Sequence, residues 1–439
     1  MKIMKFGGTS VGRPERMRQV SELITAGNEA TITVLSALSG TTNSLVQISD
    51  ALAASNRTEA KNLIDKLEAH YQDFISQLTT TEDGLAKAKA IVAEHFEFLN
   101  IILRISFSEA LNKDILAQGE LLSTKLFSVF LGENGIKHML LPALEFMSID
   151  AYDEPQVLEI RKKLAALIAQ YPDHSLFITQ GYICRNARGE VDNLKRGGSD
   201  YSASLIAAAI NATVCEIWTD IDGMHNNDPR ICKTVPVEQL SFEEAAELAY
   251  FGAKILHPAS IWPAQHYKIP VKLLNTMDPT AKGTIILEEA GSTGVKAVAA
   301  KDGIIAINIR SSRMLLAYGF LRKIFEVFEK YRTSIDMITT SEVAVSVTID
   351  TSANLKDIIR ELEPFGAITV EEGLSIVSVV GNEIAETKEV LVKLFEAIKA
   401  VPVRMVSYGG SKHNVSLLVP SASKTETLKA LNKGLFGLE

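Results

Sequence analysis

Cysteine, tryptophan and an excess of basic charge are what this sequence lacks. Its 439 residues include 3 cysteines and 2 tryptophans. Cys184, Cys215 and Cys232 form no C-x-x-C pair, which leaves zinc-binding and thioredoxin-type readings without support. An odd, sparse count fits a reducing compartment. Lys and Arg number 45 against 53 Asp and Glu, a net charge of −8. That balance gives no electrostatic footprint for nucleic acid and no basic run for a membrane surface. No apolar run approaches the ~18 residues of a transmembrane helix. The N-terminus reaches the Gly7-Gly8 turn too early to hold a signal peptide's apolar region. These absences predict a soluble cytoplasmic protein. Two nucleotide signatures are also missing: there is no G-x-x-x-x-G-K-[ST], and no G-x-G-x-x-G follows the first strand.

The remaining composition is ordinary for a globular chain, 46% hydrophobic and 22% charged, at a length that suggests about three domains. Residues 2–6 read as a strand. Pro14 opens a helix reaching about residue 26, and β-branched residues 31–36 form a second strand. Strand, helix and strand in this spacing predict a βαβ unit and a parallel sheet. Leu63, Leu67, Tyr71, Phe74 and Leu78, then Leu85, Val92, Phe96, Leu99 and Leu103, recur at helical spacing on either side of a polar turn. They predict a helical hairpin over about 59–105, whose ordinary role is scaffold or dimer surface. Alternation resumes with strands at 137–141, 175–180 and 214–219 and helices at 155–170, 202–209 and 238–249, the last capped by Ser241.

Small residues at 291–294 suit a linker, so a first domain over 1–292 is expected. Beyond it, 304–310, 317–331, 334–339, 343–350, 354–363 and 367–371 read as βαββαβ. The pattern recurs over 374–381, 383–400, 403–407, 414–419 and 423–432 without its last strand. The spare strand 295–301 can complete it. A first module over 304–372 is then inserted in a second made of 295–303 and 373–439. Two small α+β modules behind a catalytic-sized domain suggest regulation, or dimerisation without a ligand.

Chemistry concentrates in a few loops. Lys5-Phe6-Gly7-Gly8-Thr9-Ser10 ends the first strand, where glycines admit an anion to the backbone and a lysine adds charge for a migrating phosphoryl group. Lys195-Arg196-Gly197-Gly198-Ser199-Asp200 opens a helix, with Ser199 or Asp200 as an ordinary cap in the structural reading. Trp218-Thr219-Asp220-Ile221-Asp222-Gly223 through Asn227-Asp228-Pro229-Arg230 follows a strand, at the end where open α/β sheets bind ligands. Phe251-Gly252-Ala253-Lys254-Ile255-Leu256-His257-Pro258 carries a lysine. Glu120 interrupts an apolar stretch.

Taken in order, KFGGTSVG, LSALSGTTN (35–43), GELLST (119–124), KRGGSDYSA (195–203), WTDIDG…NDPR (218–230) and FGAKILHP (251–258) resemble the aspartate kinases of the amino acid kinase superfamily. The tail resembles their tandem ACT domains. The resemblance spans nearly the whole chain and is closest to the monofunctional, lysine-sensitive type. It implies an α/β amino acid kinase fold, an open, mainly parallel sheet flanked by helices, followed by two α+β ferredoxin-like ACT domains. It implies transfer of the ATP γ-phosphoryl to the β-carboxylate of L-aspartate, with Mg²⁺ held mainly by phosphates and water.

By the same resemblance, Lys5 and Asp200 are catalytic. Ser36, Thr42, Glu120, Arg196, Gly197, Gly198 and Ser199 bind aspartate, Arg196 through its α-carboxylate and Glu120 through its ammonium. Lys5, Gly7, Gly8, Thr9, Thr219, Asp220, His225, Arg230, Lys254 and Ile255 hold ATP. Met314, Ala317, Tyr318, Gly319, Phe320, Leu321, Ser334, Ile335, Asp336, Ser341 and Glu342 line a lysine site at an ACT–ACT interface, in a homodimer or dimer of dimers. Lys195 replaces a glycine common in relatives, His225 an aromatic Tyr, and Ala317 a Ser. Threonine is the alternative effector. The rival readings are a superfamily kinase acting on glutamate, N-acetylglutamate or UMP, and a degenerate kinase serving as an amino acid sensor.

Overall fold

The computed structural model describes residues 1–194, 197–252, 256–289, 291, 293–311 and 318–439. Two compact units emerge, Met1–Gly223 with Leu256–Glu288, and Met224–Ile255 with Glu289–Glu439. The segment Met224–Ile255, expected within the first domain, therefore groups with the C-terminal part.

Up to residue 288 the strands are, in chain order, β1 (Lys2–Phe6), β2 (Thr31–Leu35), β3 (Met139–Leu141), β4 (Leu176–Gln180), β5 (Ile183–Arg185), β6 (Val191–Asn193), β7 (Cys215–Thr219), β8 (Gln239–Ser241), β9 (Val271–Asn275) and β10 (Thr284–Leu287). In the first unit they form a sheet in the order β3-β4-β2-β1-β7-β9-β10. All its pairings are parallel except the last, where β10 runs against β9. β2 and β4 are buried throughout, as strands covered on both faces must be. β5 and β6 make a separate hairpin. The helical hairpin consists of Arg57–Leu78 and Glu82–Ile102, whose N-termini are capped by the side chains of Asn56 and Thr81. Its apolar stripe joins the core of the sheet, with Tyr71, Phe74, Phe96 and Leu99 in one cluster with Phe127 and Phe6. Among the described residues no helix is long and apolar enough to cross a membrane, and the three cysteines are free.

The second unit is built on β11 (Gly294–Arg310), β12 (Ile338–Thr340), β13 (Ala344–Ile349), β14 (Ala367–Asn382), β15 (Met405–Ser407) and β16 (Asn414–Pro420), in the order β12-β13-β11-β14-β16-β15. Residues 295–301 and 304–310, expected as two strands, are one long strand with register shifts near Lys301 and Ile304. Residues 367–371 and 374–381 are likewise continuous. Gly303 (φ 78°) and Gly373 (φ 73°) absorb the bend without breaking the ladder. Each half of the long β11–β14 ribbon carries its own apolar cluster, one around Ile307, Val345 and Phe328, the other around Val379, Val415 and Leu431. Several expected elements are shorter than their sequence patterns, three of them markedly. The strand over 334–339 is confined to β12, the helix over 383–400 to Lys388–Ala397, and the helix over 317–331 to Phe320–Lys330 among the described residues.

Side-chain bonds anchor Met224–Ile255 within this unit. Asn432 accepts from Asn226 Nδ2 (3.2 Å) and Asn227 Nδ2 (3.3 Å) and donates to the Lys233 carbonyl (3.0 Å). Ser241 caps Phe242–Tyr250 as expected, in a reciprocal capping box with Glu244. Further along that helix, Glu247 accepts from Asn414 at 2.8 Å. Because Asn432 is fully buried, truncating it strands several polar groups at once. Asn432→Ala is expected to cost about 3 kcal/mol locally. Hydrogen exchange should then show lost amide protection over 226–235 while β1, β2 and β4 stay protected.

Candidate active site

β1 ends in the middle of its sheet, between β2 and β7, and its last residues set the site. Ile3, Met4 and Phe6 are buried apolar anchors, and Lys5 is 9% exposed. Lys5 Nζ lies 2.6 Å from Asp200 Oδ1. Asp200 stands in the first turn of the helix Gly198–Ile210, where the backbone dipole favours a carboxylate. Gly197 is the N-cap in the left-handed region (φ 73°), and a Cβ there would fall 1.7 Å from Ser260 Oγ. Neither Ser199 nor Asp200 caps this helix. Ser199 instead accepts from Ser36 Oγ at 2.9 Å, across the end of β2, and Asp200 pairs with Lys5. Both polar side chains are directed to the site rather than spent on the helix end.

Glu120 reaches the same region from the long helix Glu109–Glu133. That helix can press against the β2 loop because residue 119 is glycine, where a Cβ would meet Ala37 Cβ at 2.7 Å. Ser123 donates to the Ser36 carbonyl (2.8 Å), and Gln180 Nε2 donates to Thr124 Oγ1 (2.8 Å). Glu120 Oε1 accepts from Ala37 N–H at 3.3 Å, while Oε2 is buried with no partner among the described residues. Burial pushes this carboxyl up to about 7, opposed by the Ala37 N–H and by the nearby Lys5 charge. An unpartnered buried carboxylate oxygen asks for a cation.

The other expected residues fall out unevenly. Gly7 N–H is not open to a ligand: it donates to the Trp218 carbonyl at 3.3 Å, because the β1–β7 ladder continues one residue past the strand end. Gly8 and Thr9 open the short helix Gly8–Val11, whose first N–H groups have no intrahelical acceptor. Thr42 is exposed near the start of helix Thr41–Ala53, whereas its neighbour Thr41 is buried and bonded to Tyr71. Thr219, ending β7, donates to the exposed Asp220 at 3.1 Å. His225 and Arg230 belong to the second unit. His225 Nδ1 pairs with Thr234 Oγ1 at 2.7 Å, and Arg230 is engaged by Asp228 at 2.7 and 2.9 Å. Lys195, Arg196, Lys254 and Ile255 lie outside the described residues.

So do Met314 and Ala317 of the expected effector site. Tyr318, Leu321, Ser334, Ser341 and Glu342 are exposed, and Gly319 (φ 76°) precedes helix Phe320–Lys330. Phe320 is buried edge-on to Phe365, and Ile335 packs on that module's core. The Asp336 carboxylate is already engaged by Lys301 and Tyr250.

Residues that carried no signal in sequence also shape the candidate site. Gly181 leaves room for Ser199, whose Cβ would lie 2.3 Å from a Cβ on residue 181. Tyr182 adopts φ 65°, unusual for a bulky residue, with its N–H held by Ser202 Oγ at 2.7 Å.

Residues 1–275 match the family model described as amino acid kinase family, and residues 377–435 match an ACT domain. The chain is 30% identical to lysine-sensitive aspartokinase 3 of Escherichia coli (strain K12), covering 99% of both chains. The chain belongs to the aspartokinases of the amino acid kinase family. Aspartokinase 3, chloroplastic, of Arabidopsis thaliana is 34% identical over 99% of this chain and 81% of that one. Solved structures of E. coli aspartokinase III, one with aspartate and ADP and one with lysine and aspartate, are each similar at a TM-score of 0.83 and 30% identity. They cover 99% of this chain and 100% and 99% of their own. Lys5, Asp200, Ser36, Ser199 and Glu120 thus converge at the strand ends of an aspartokinase kinase domain.

The raised Glu120 carboxyl has a signed consequence. It contributes stability that is complete below its unfolded value near 4.5 and is lost as pH rises through about 7. Glu120→Gln should therefore raise Tm relative to the parent at pH 8, by on the order of 2–4 °C, and by less at pH 5. Calorimetric scans at the two pH values test this.

Proposed function

We propose that this aspartokinase transfers the γ-phosphoryl of ATP to the β-carboxylate of L-aspartate, giving 4-phospho-L-aspartate, and that lysine restrains it through the ACT modules. The observation that carries the reading is the Lys5–Asp200 pair at 2.6 Å beside the buried, half-satisfied Glu120.

The acceptor carboxylate is ionised at neutral pH, so the reaction needs no general base. The difficulty is bringing two anions into line, which is solved by positioning and by charge placed where the transferring group passes. Lys5 supplies that charge from a rigid strand, and Asp200 holds the ammonium in one orientation. The first N–H groups of Gly198–Ile210 add fixed positive dipole beside them. Glu120 would take the substrate ammonium on its open oxygen, and the Ser36–Ser199 hydroxyl pair would orient the carboxylates. Arg196 is the proposed partner of the α-carboxylate. Asp200 leaves about a fifth of its side chain exposed, enough to accept from a metal-bound water. Bound magnesium, which keeps several waters, would neutralise the phosphates.

We further propose lysine as effector, with threonine the alternative, a homodimer or dimer of dimers through the ACT modules, and residence in the cytoplasm. The E. coli relative's structure with lysine and aspartate supports the effector reading.

Aspartyl-hydroxamate formation with Mg-ATP and L-aspartate is the primary test. Lys5→Met should lose at least about 10³-fold in kcat with the fold intact by circular dichroism. Turnover that persists in Lys5→Met, or appears only with glutamate, N-acetylglutamate or UMP, would overturn the assignment.

Glu120 yields a second expectation. Its carboxyl is held partly protonated in the free site, and a bound ammonium favours the ionised form, so aspartate binding at pH 6 should release a proton. Titration calorimetry in buffers of different ionisation enthalpy should show this release, diminishing by pH 8 and absent in Glu120→Gln.

A further inference from the structure

Asp336 lies in the segment between helix Phe320–Lys330 and β12, with its side chain 1% exposed. Its Oδ1 accepts from the Tyr250 hydroxyl at 2.6 Å and from Lys301 Nζ at 2.8 Å. Lys301 also meets Asp350 Oδ2 at 2.9 Å and stands 4.4 Å over the Tyr250 ring, a cation–π contact. Asp336 Oδ2 is buried with no partner among the described residues. The cluster holds two carboxylates against one ammonium, and one buried acceptor remains open. A further N–H donor with positive charge is the chemistry it lacks.

The same cluster fastens a second piece of chain. Tyr250 is the last residue of the helix Phe242–Tyr250. Two residues on, Gly252 (φ 126°) sits against β11 so closely that a Cβ would meet the Ala300 carbonyl oxygen at 2.1 Å. Residues 250–252 are therefore clamped to Ala300 and Lys301 by a backbone contact and a side-chain cluster. The chain then continues through Ala253 to Lys254 and Ile255, which the family resemblance assigns to ATP.

We infer that Lys301 is a built-in substitute for the effector's ammonium, and that an amino acid bound at Asp336 displaces Lys301 and Tyr250 and so releases the 250–252 clamp. The inference rests on the effector reading above and names its coupling step. Displacement leaves Lys301 paired, because Asp350 is 40% exposed and remains beside it. The incoming ammonium gains the open Oδ2 as well as Oδ1, which Lys301 alone does not satisfy. A ligand shifts an equilibrium only through such a difference between two states. A primary ammonium fits this exchange, and the side-chain amine of a basic amino acid supplies it without engaging the α-carboxylate.

The experiment uses the full chain, with lysine affinity from titration calorimetry, inhibition from the hydroxamate assay and hydrogen exchange at 250–252. Lys301→Met removes the competitor, and lysine should bind about tenfold more tightly. Tyr250→Phe keeps the ring but cuts the bond to Asp336. It should bind lysine at least as well as the parent while being inhibited several-fold less. In the parent, lysine should speed exchange at 250–252, and in Tyr250→Phe exchange should already be fast without it. Should Lys301→Met fail to fold, Tyr250→Phe decides through the exchange readout. Unchanged affinity and unchanged exchange in folded variants would overturn the inference while leaving the effector reading standing. Absence of lysine binding to the unmodified protein would instead remove the effector reading, and the inference with it.

Discussion

The candidate site depends on one ion pair, Lys5 with Asp200, and much of the first unit is what brings those two groups together. They are nearly two hundred residues apart in sequence. Parallel pairing sets β1 between β2 and β7, so its lysine emerges at the centre of the sheet's carboxyl edge. The helix Gly198–Ile210 brings Asp200 to that edge with its positive end foremost. Burial of Lys5 between apolar neighbours makes an unpaired ammonium costly, and the Asp200 carboxylate offsets that cost. Glycines at 119, 181 and 197 permit the approach, because each faces an atom that a Cβ would overlap.

A different constraint governs the second unit. β11 and β14 run unbroken through two α+β modules, so the modules share a ribbon rather than a linker. Lys301 of this ribbon meets Tyr250 and Asp336, and Asn226, Asn227 and Glu247 tie the segment before it to Asn432 and Asn414 elsewhere in the same unit. The expected nucleotide-contacting residues His225 and Arg230 are thus part of the same compact unit as the ACT modules. A regulatory signal arriving at the sheet has a short covalent and hydrogen-bonded route to that segment.

Much of this organisation was legible in the chain. Alternating strands and helices predicted the parallel sheet, and helical periodicity predicted the hairpin of Arg57–Leu78 and Glu82–Ile102. The repeated βαβ pattern predicted strands over both halves of the C-terminal sheet. Less legible were the helices Thr41–Ala53 and Glu109–Glu133. The second is buried along much of its length, so it shows little of the alternation between polar and apolar faces that marks a surface helix. The fusion of neighbouring strand patterns into β11 and β14 was hidden for a related reason. A glycine between two apolar runs looks like a turn, and only the partner strand shows that the ladder continues through it.

The sequence by itself determined the family, the reactive residue types and the order in which they arrive, because those are properties of local pattern and motif. Tertiary structure alone decided which of them are engaged and with what. It turned Ser199 from a possible cap into a partner of Ser36, closed the Gly7 N–H against Trp218, and joined Asp336 to a lysine and a tyrosine from distant segments. Hydrogen-bond partnership and desolvation depend on neighbours remote in the chain. Glu120 is the plainest case: its carboxyl is raised to about 7 chiefly by burial, and that burial exists only once its helix has docked on the end of β2.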